Sequence, residues 1–292
     1  DDKLLFTITE DETGYILETM PNYSVSIKAI TKAINFTVQY HSNYVAEGGE
    51  TEKISELETW TYNVEGTIKN ITNSTFAGWA RAGYEFVGWA YTTDSGVVFT
   101  FADENDLAHN FDYETIATYN FEINLYAIWS AGDVEYIINY YREDLTTGEY
   151  VTLKDPVINM GKVGTTVRVP EEEAPTGYRR NDGASTLSKV LTPTDNILEV
   201  YYDLIVSELT VTANNENITN ISATSNQFGF AGGTFEDGVY TASIKYGATV
   251  TLSASANAGY KLGDWSVVSG GISITENSFT MGLVNVEIEI DV

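Results

Sequence analysis

The sequence predicts a mainly β protein that consists of small modules in tandem. Short segments in which apolar and polar residues alternate occur along the whole length of 292 residues, as expected of strands that bury one face. Helical periodicity is nearly absent, and one short phrase containing Gly-Tyr recurs along the chain. Together these observations favour several small β-sheets over one large core.

Seven segments show the two-residue alternation most clearly, and each is predicted to be a strand. The chain contains 24 Gly and 20 Tyr, a composition typical of sheets that are joined by tight turns. The predicted strands are 34–40, 134–141, 163–169, 197–202, 209–212, 250–253 and 286–290. Only residues 50–57 and 107–118 have some helical character, and both segments are short and weakly amphipathic.

The repeated phrase contains Gly83-Tyr84, Gly177-Tyr178 and Gly259-Tyr260. The intervals are 94 residues, from 83 to 177, and 82 residues, from 177 to 259. The first and third copies continue to a tryptophan, Trp89 and Trp265. Self-similarity of this kind is the signature of a modular array, in which each copy rebuilds the same small unit.

A second similarity links the two ends of the chain. Residues 19–27 resemble residues 280–288, and both read as a turn that enters a closing strand. We therefore interpret residues 1–32 as the last strands of a preceding module, or as a small module of their own.

The charge of the chain excludes several classes of partner. The sequence has 42 acidic and 15 basic residues, which gives a net charge of -27. Such a surface repels the phosphates of nucleic acids and anionic lipids, so we expect neither as a partner. No run of 18 apolar residues and no basic-then-apolar leader occurs, so we expect no membrane insertion in this segment. Because the sequence begins at Asp1 without an initiator methionine, we expect signal and anchor segments to have been removed from it.

The chain has no cysteine. Disulfides, thiolate metal sites and cysteine nucleophiles are therefore excluded for this sequence. Absence of cysteine is common among surface proteins of Gram-positive bacteria, but composition alone does not indicate such a source.

Residues 34–129 resemble a Listeria–Bacteroides repeat, the B-repeat type of internalins. The matching features are residues 82–89, which fit the pattern Gly-Tyr-x-Phe-x-Gly-Trp, and residues 125–129, which fit the closing Leu-Tyr-Ala-x-Trp. The connection from Gly96 to Phe121 is longer than usual, and two tryptophans, Trp60 and Trp79, fall outside the pattern.

The rest of the chain resembles two related kinds of module. Residues 133–203 are similar to a mucin-binding-type repeat, through the opening 136–141, the central 161–169, Gly177-Tyr178 and the closing 198–202. Residues 206–292 resemble a divergent B-repeat, through the segment from Gly259 to Trp265 and through 279–281.

These resemblances imply small β-grasp-like modules arranged as an elongated array on an extracellular bacterial protein. We expect a partial module at 1–32, a B-repeat-like module at 33–131, a mucin-binding-type module at 132–205 and a divergent B-repeat-like module at 206–292. The families carry no catalytic residues, so the resemblance transfers none.

The tryptophans are the most conspicuous candidates for a site. Aromatic rings can stack on sugars or peptides, but a phrase that is repeated in separate modules more simply supplies each module's core. We therefore expect core positions for Tyr84, Phe86, Trp89, Tyr126 and Trp129. Because Trp60 and Trp79 lie outside the repeated phrase, we expect them at the surface, and they are the predicted ligand-binding residues.

Catalytic and metal chemistry has little material in this sequence. Only His41 and His109 exist, and no phosphate loop, HExxH or GxSxG pattern occurs. We expect no enzyme activity, no cofactor and no metal site. Two alternatives stay open: calcium at residues 103–106, which lack the spacing of a calcium loop, and an isopeptide bond from a strand lysine such as Lys28 or Lys245.

The sequence therefore predicts a non-catalytic stalk or adhesion region of a secreted bacterial cell-surface protein. It would space or present a binding region from the cell wall, as a monomer, and a host or environmental glycan or glycoprotein is the expected partner. The alternative is a set of carbohydrate-binding accessory modules of a secreted enzyme.

Overall fold

The protein is described from a computed structural model. The structure describes residues 8–11, 14–17, 32–44, 51–91, 98–100 and 105–292. Strands dominate these residues, which confirms the mainly β fold class. The chain divides into two compact units, one of residues 1–79 and 88–128, the other of residues 80–87 and 129–292.

Up to residue 131 the described strands form three sheets. A hairpin, a five-stranded sheet in the order β4-β3-β9-β6-β7 and the pair β5-β8 make up this part. β3 runs parallel to β9 and antiparallel to β4. The elements are β1 (Ile8–Asp11), β2 (Gly14–Leu17), β3 (Asn35–His41), β4 (Glu58–Thr61), β5 (Gly66–Ile68), a 3₁₀ turn (Ser74–Phe76), β6 (Tyr84–Ala90), β7 (Val98–Phe99), β8 (Leu107–His109), α1 (Tyr113–Thr118) and β9 (Glu122–Ala131).

Residues 133–204 form a four-stranded sheet in the order β11-β10-β15-β13 and a separate pair, β12-β14. β10 and β15 are parallel neighbours at the centre of the sheet. One face is buried around Ile138, Tyr140, Leu198, Val200 and Tyr202. The elements are β10 (Asp133–Glu143), β11 (Tyr150–Lys162), β12 (Thr166–Arg168), β13 (Tyr178–Arg180), β14 (Ser188–Val190) and β15 (Ile197–Leu204).

Residues 206–290 form a five-stranded sheet, β18-β19-β16-β23-β21, and a three-stranded sheet, β17-β20-β22. Alternating apolar residues of both sheets share one core, which includes Leu209, Val211, Tyr240, Leu252 and Ile288. The elements are β16 (Val206–Ala213), β17 (Ile218–Ser225), β18 (Thr234–Glu236), β19 (Val239–Lys245), β20 (Thr249–Ala256), β21 (Trp265–Ser269), β22 (Ser278–Thr280) and β23 (Val286–Ile290).

All seven predicted strands overlap an observed strand, whereas the helical segments differ from expectation. The described residues 51–57 contain no helix, and residues 107–118 divide into β8 and α1. The division has a local cause, because Asp112 caps the helix by accepting a hydrogen bond from the Thr115 amide at 2.7 Å. The residues before this cap are free to pair with β5.

The predicted domain boundaries stay a prediction. Most of residues 1–32 lies outside the described residues, as does the similarity of 19–27 to the C-terminal end. In the part that the structure describes, no sheet combines strands from 132–205 with strands from 206–292. The compact units nevertheless number two, and the second contains both of these ranges.

The repeated Gly-Tyr phrase marks a turn that needs glycine. Gly83, Gly177 and Gly259 have φ values of 73°, 86° and 95°, in the left-handed region that side chains with a Cβ rarely adopt. At Gly177 an added Cβ would also lie 2.0 Å from the Tyr246 ring. The repetition thus reflects a backbone conformation that each copy has to rebuild.

Candidate functional site

Trp60 and Trp79, the two predicted ligand-binding residues, are both buried in the first unit. Trp60 keeps 8% and Trp79 6% of its surface exposed. The Trp60 ring packs against Phe36 and Phe111, with ring centroids 6.1 and 5.7 Å away, and a Cβ on Gly66 would lie 2.3 Å from it. The expected surface position is therefore corrected: both rings fill the aromatic core. Ligand binding through either ring stays an untested prediction.

The predicted core of the B-repeat-like module is also corrected. Of the five aromatic residues expected there, only Trp89 is fully buried, and its Nε1 donates to the Lys69 carbonyl at 2.8 Å. Phe86 and Trp129 form an edge-on pair at 5.7 Å, but both keep intermediate exposure. The other buried aromatic residues of this core are Phe36, Tyr40, Trp60, Phe76, Trp79, Phe99 and Phe111.

Both histidines contact other side chains of the fold. His41 Nε2 lies 3.1 Å from Asn124 Oδ1, and the His109 ring lies edge-on to Phe99 and Phe111. Burial lowers the pKa of His109, which keeps its ring neutral at physiological pH. Neither histidine lies in a nucleophile–base arrangement in the described residues.

The structure describes only part of the suggested calcium site at residues 103–106. Residues 103 and 104 of the suggested calcium cluster lie outside the described residues, and the Asp106 carboxylate accepts hydrogen bonds from the Asn70 amide at 2.7 Å and the Asn73 side chain at 3.3 Å. Among the described residues, no three His, Cys, Asp or Glu side chains are grouped as a metal site.

No helix in the part of the chain that the structure describes is long and apolar enough to cross a membrane.

The junction between β15 and β16, which we name the joint, is the feature best suited to a spacing function. β15 ends at Leu204 and β16 begins at Val206, so a single residue, Ile205, connects two different sheets. Its amide donates to the Gly177 carbonyl at 2.9 Å, and its carbonyl accepts from the Tyr246 amide at 2.8 Å. Ile205 is therefore hydrogen-bonded to the residue that precedes β13 and to the residue that follows β19.

An ion pair crosses the joint. Lys245 Nζ, at the end of β19, contacts Glu143 Oε1, at the end of β10. The two side chains are only 21% and 14% exposed, so water screens their attraction less than it screens a surface pair. The second carboxylate oxygen of Glu143 accepts from the Leu204 amide at 3.0 Å. Lys245, suggested from the sequence as an isopeptide lysine, thus faces a carboxylate.

The β10–β11 turn adds a third contact to the joint. Leu145 packs against the core of residues 206–292, and its carbonyl accepts from the Phe228 amide at 2.8 Å. Gly148 lies so close to the Phe228 ring that an added Cβ would be 2.4 Å from it. Asp144 shapes the turn by accepting hydrogen bonds from Thr146 and other groups, which lower its pKa to about 2.

Sequence reasoning missed these residues for a simple reason. The boundary predicted between 132–205 and 206–292 falls within this stretch, where all of residues 203–207 except Ile205 belong to strands. The alternation in 197–202 and 209–212 is a signal that the strands continue towards each other. No local pattern, however, indicates that Glu143 meets Lys245.

The family comparison supports one of the resemblances. Residues 224–289 match the family model of the divergent InlB B-repeat domain. The match lies within residues 206–292 and confirms the divergent B-repeat expected there. The B-repeat resemblance of residues 34–129 and the mucin-binding-type resemblance of residues 133–203 stay predictions. No curated protein matches the chain.

Solved structures with some likeness include proteins of bacterial pili. The major pilin T-13 of Streptococcus pyogenes is 13% identical, with 56% of this chain and 98% of that chain covered and a TM-score of 0.27. The pilus adhesin SpaC of Lactobacillus rhamnosus GG is 10% identical, with 92% and 42% covered and a TM-score of 0.28. A single-site mutant of a major pilin of S. pyogenes is 9% identical, with 89% and 98% covered and a TM-score of 0.26. TM-scores of this size do not establish a shared fold.

Proposed function

We propose that this chain is a non-catalytic spacing segment of a secreted, cell-wall-associated surface protein of a Gram-positive bacterium. It holds a binding region at a set distance from the wall and acts as a monomer. The observation that carries the proposal is the joint, where strands of two sheets follow each other across one hydrogen-bonded residue. The divergent B-repeat match of residues 224–289 supports the surface assignment.

A spacer works only if its modules keep a fixed relation to one another. Interfaces between modules usually permit motion unless they are well packed. At the joint, the Ile205 hydrogen bonds, the Glu143–Lys245 pair and the Leu145–Phe228 contact connect residues 133–204 with residues 206–290. These contacts beside the connecting residue restrict the motion that a single-residue connection alone would allow.

Distance measurements between spin labels test this rigidity. Because the chain has no cysteine, two introduced cysteines are the only labelling sites in the 292 residues. We expect Val190→Cys with Val268→Cys, two exposed positions on either side of the joint, to give a narrow distance distribution. Val190→Cys with Val151→Cys, both within residues 133–204, is the matched control for the intrinsic width of the labels.

Breaking the joint should broaden only the first distribution. The double variant with Glu143→Ala and Lys245→Ala should leave the 190–151 distance distribution unchanged and should broaden the 190–268 distance distribution. A 190–268 distribution that is already much broader than the control in the parent chain would contradict the spacing function, since freely tethered modules set no distance.

A second function, that of carbohydrate-binding accessory modules, is favoured by one specific observation. The exposed face of the sheet in residues 133–204 carries a cluster of tyrosines beside amide and carboxylate groups. This cluster is compatible with the spacing function, since a spacer can carry an adhesive face.

A further inference from the structure

Three tyrosines come together on the outer face of the four-stranded sheet of residues 133–204. Tyr141 and Tyr201 are register partners on the parallel strands β10 and β15, and their rings stack at 5.0 Å with an interplanar angle of 18°. Tyr150, at the start of β11, lies edge-on to Tyr201 at 4.7 Å. Their neighbours in sequence Tyr140 and Tyr202 point into the core, so the cluster belongs to the opposite, solvent-facing side.

Polar groups border the rings on one side. Asn181 Nδ2 donates to Asp203 Oδ2 at 2.9 Å and lies 3.3 Å from the Tyr150 hydroxyl. The Tyr150 hydroxyl also donates to Asp203 Oδ1, and the Asn181 Oδ1 accepts from the Ala184 amide at 3.0 Å. These bonds fix the amide, the carboxylate and the hydroxyl in one arrangement before any ligand arrives.

The cluster is exposed enough to contact a ligand. Tyr150 keeps 38% of its surface exposed, and Tyr141, Tyr201, Asn181 and Asp203 keep intermediate exposure. Burial, with the Asp203 hydrogen bond as the second cause, raises the pKa of Tyr150. Its hydroxyl therefore stays protonated and remains a donor at neutral pH.

From this geometry we infer that the cluster of Tyr141, Tyr150, Tyr201, Asn181 and Asp203, named here the tyrosine face, binds a neutral sugar ring. Aromatic rings offer an apolar surface to the C–H face of a sugar. Both N–H groups of the Asn181 amide are already used, whereas the Asp203 carboxylate and Asn181 Oδ1 keep acceptor positions for the hydroxyl groups at the edge of the sugar. The inference rests on the adhesive part of the proposed function.

Charge decides between neutral and acidic sugars. Glu199 accepts from the Tyr201 hydroxyl at 3.2 Å, Asp203 lies in the cluster itself, and the whole chain carries -27. A sialylated glycan would bring its carboxylate beside Glu199 and Asp203, two acidic groups against the one exposed guanidinium of Arg179, the register partner of Asp203, and be repelled. The tyrosine face should therefore prefer uncharged sugars.

Immobilised glycans test the inference with the chain of 292 residues. The probes are oligosaccharides that end in galactose or N-acetylglucosamine and their sialylated counterparts at the same density, read by biolayer interferometry. We expect binding to the neutral forms and weaker binding to the sialylated ones. Tyr150→Ala should lower the affinity about tenfold, the loss expected when a stacking ring is removed. Tyr260→Ala, which removes a 52% exposed tyrosine elsewhere, should leave it unchanged.

Two further readouts keep the test decisive. If Tyr150→Ala fails to fold by circular dichroism, Tyr150→Phe keeps the ring and removes the hydroxyl, and it should weaken binding by a smaller factor. Absence of neutral-glycan binding by the parent chain, stronger binding to sialylated forms, or binding to a glycoprotein that survives enzymatic removal of its glycans would overturn the inference. None of these results alters the 190–268 label distances, so failure of the tyrosine face is distinct from failure of the spacing function.

Discussion

His109 is an ionisable side chain placed among apolar rings. Its imidazole lies 4.6 Å from the Phe99 ring and 4.5 Å from the Phe111 ring, and its buried Nε2 has no hydrogen-bond partner. Burial lowers its pKa, and the nearby Asp112 opposes this effect only in part. The uncharged ring packs well, whereas the protonated ring would put a charge where no acceptor meets it.

The pKa of His109 predicts a pH dependence of stability. Because the folded-state pKa lies below that of the unfolded chain, the unfolded state binds more protons between the two values, and stability falls as the pH drops below about 6.5. His109→Gln cannot titrate, so its melting temperature should fall less between pH 7.5 and pH 5 than that of the parent. The comparison at pH 7.5 gives the packing cost of the substitution. Equal falls in both chains would show that His109 does not titrate on unfolding.

The burial of one tryptophan can be predicted from the sequence, whereas the burial of another cannot. Trp89 stands in a repeated phrase, and its expected burial is observed. Trp60 stands outside that phrase, yet strand register places it opposite Phe36, and two large apolar rings side by side exclude water. Pairing of residues 24 positions apart, from 36 to 60, cannot be read from one sequence, so the sequence predicts a surface site where the core lies.

A side chain covers unpaired backbone groups at one edge of strand β19. It pairs with β16 over its full length but with β18 only through Val239–Thr241. Beyond that point the Gln227 side chain takes over, since its Nε2 donates to the Ser243 carbonyl at 3.3 Å and its Oε1 accepts from the Lys245 amide at 2.9 Å. The Gln227 amide group thus makes hydrogen bonds that the backbone of a neighbouring strand would otherwise make. Unpaired strand edges promote association between chains.

Removing this cover should expose the edge. Gln227→Ala is expected to lower the free energy of unfolding by about 1 kcal/mol, the net contribution of a typical hydrogen bond, and to produce concentration-dependent association. Light scattering after size-exclusion chromatography at rising concentration measures the second effect. Gln39→Ala removes the same kind of amide, which donates to the Ser55 carbonyl at 2.9 Å, and serves as control. A Gln227→Ala chain that stays as monomeric as Gln39→Ala would refute the protective role.

A strand, turn or helix can be predicted from the sequence when the residues that cause it are neighbours in the sequence. Two-residue alternation locates all seven strands, and the Gly-Tyr turns coincide with glycines of positive φ, because both depend on neighbouring residues alone. The sequence predicts one helical segment over residues 107–118 because the competing pairing of β8 with β5 is not local. The tyrosine face escapes prediction for the same reason, since Tyr141 meets Tyr201 only through the parallel pairing of β10 and β15. The antiparallel pairing of β10 and β11 then brings Tyr150 to the same place.

At the scale of the molecule, residues 133–204 and residues 206–290 differ in the size of their cores. Five buried residues form the first core and fifteen form the second. A small core stabilises a module only weakly, so residues 133–204 should depend on the joint for part of their stability. The Glu143–Lys245 pair joins residues 102 positions apart, a coupling that no pattern within either module could predict.

Lys245→Ala tests this dependence by hydrogen exchange of the chain of 292 residues. The substitution leaves the poorly exposed Glu143 carboxylate without its counter-charge, which costs more than loss of a surface pair. Amides at the ends of β10 and β15 should exchange about tenfold faster, equivalent to roughly 1.4 kcal/mol. Lys162→Ala is the matched control, because the Lys162–Asp133 pair is 58% and 61% exposed and should contribute little. If both variants exchange alike at these amides, the joint transmits no stability between the sheets, and residues 133–204 are stabilised by their own core.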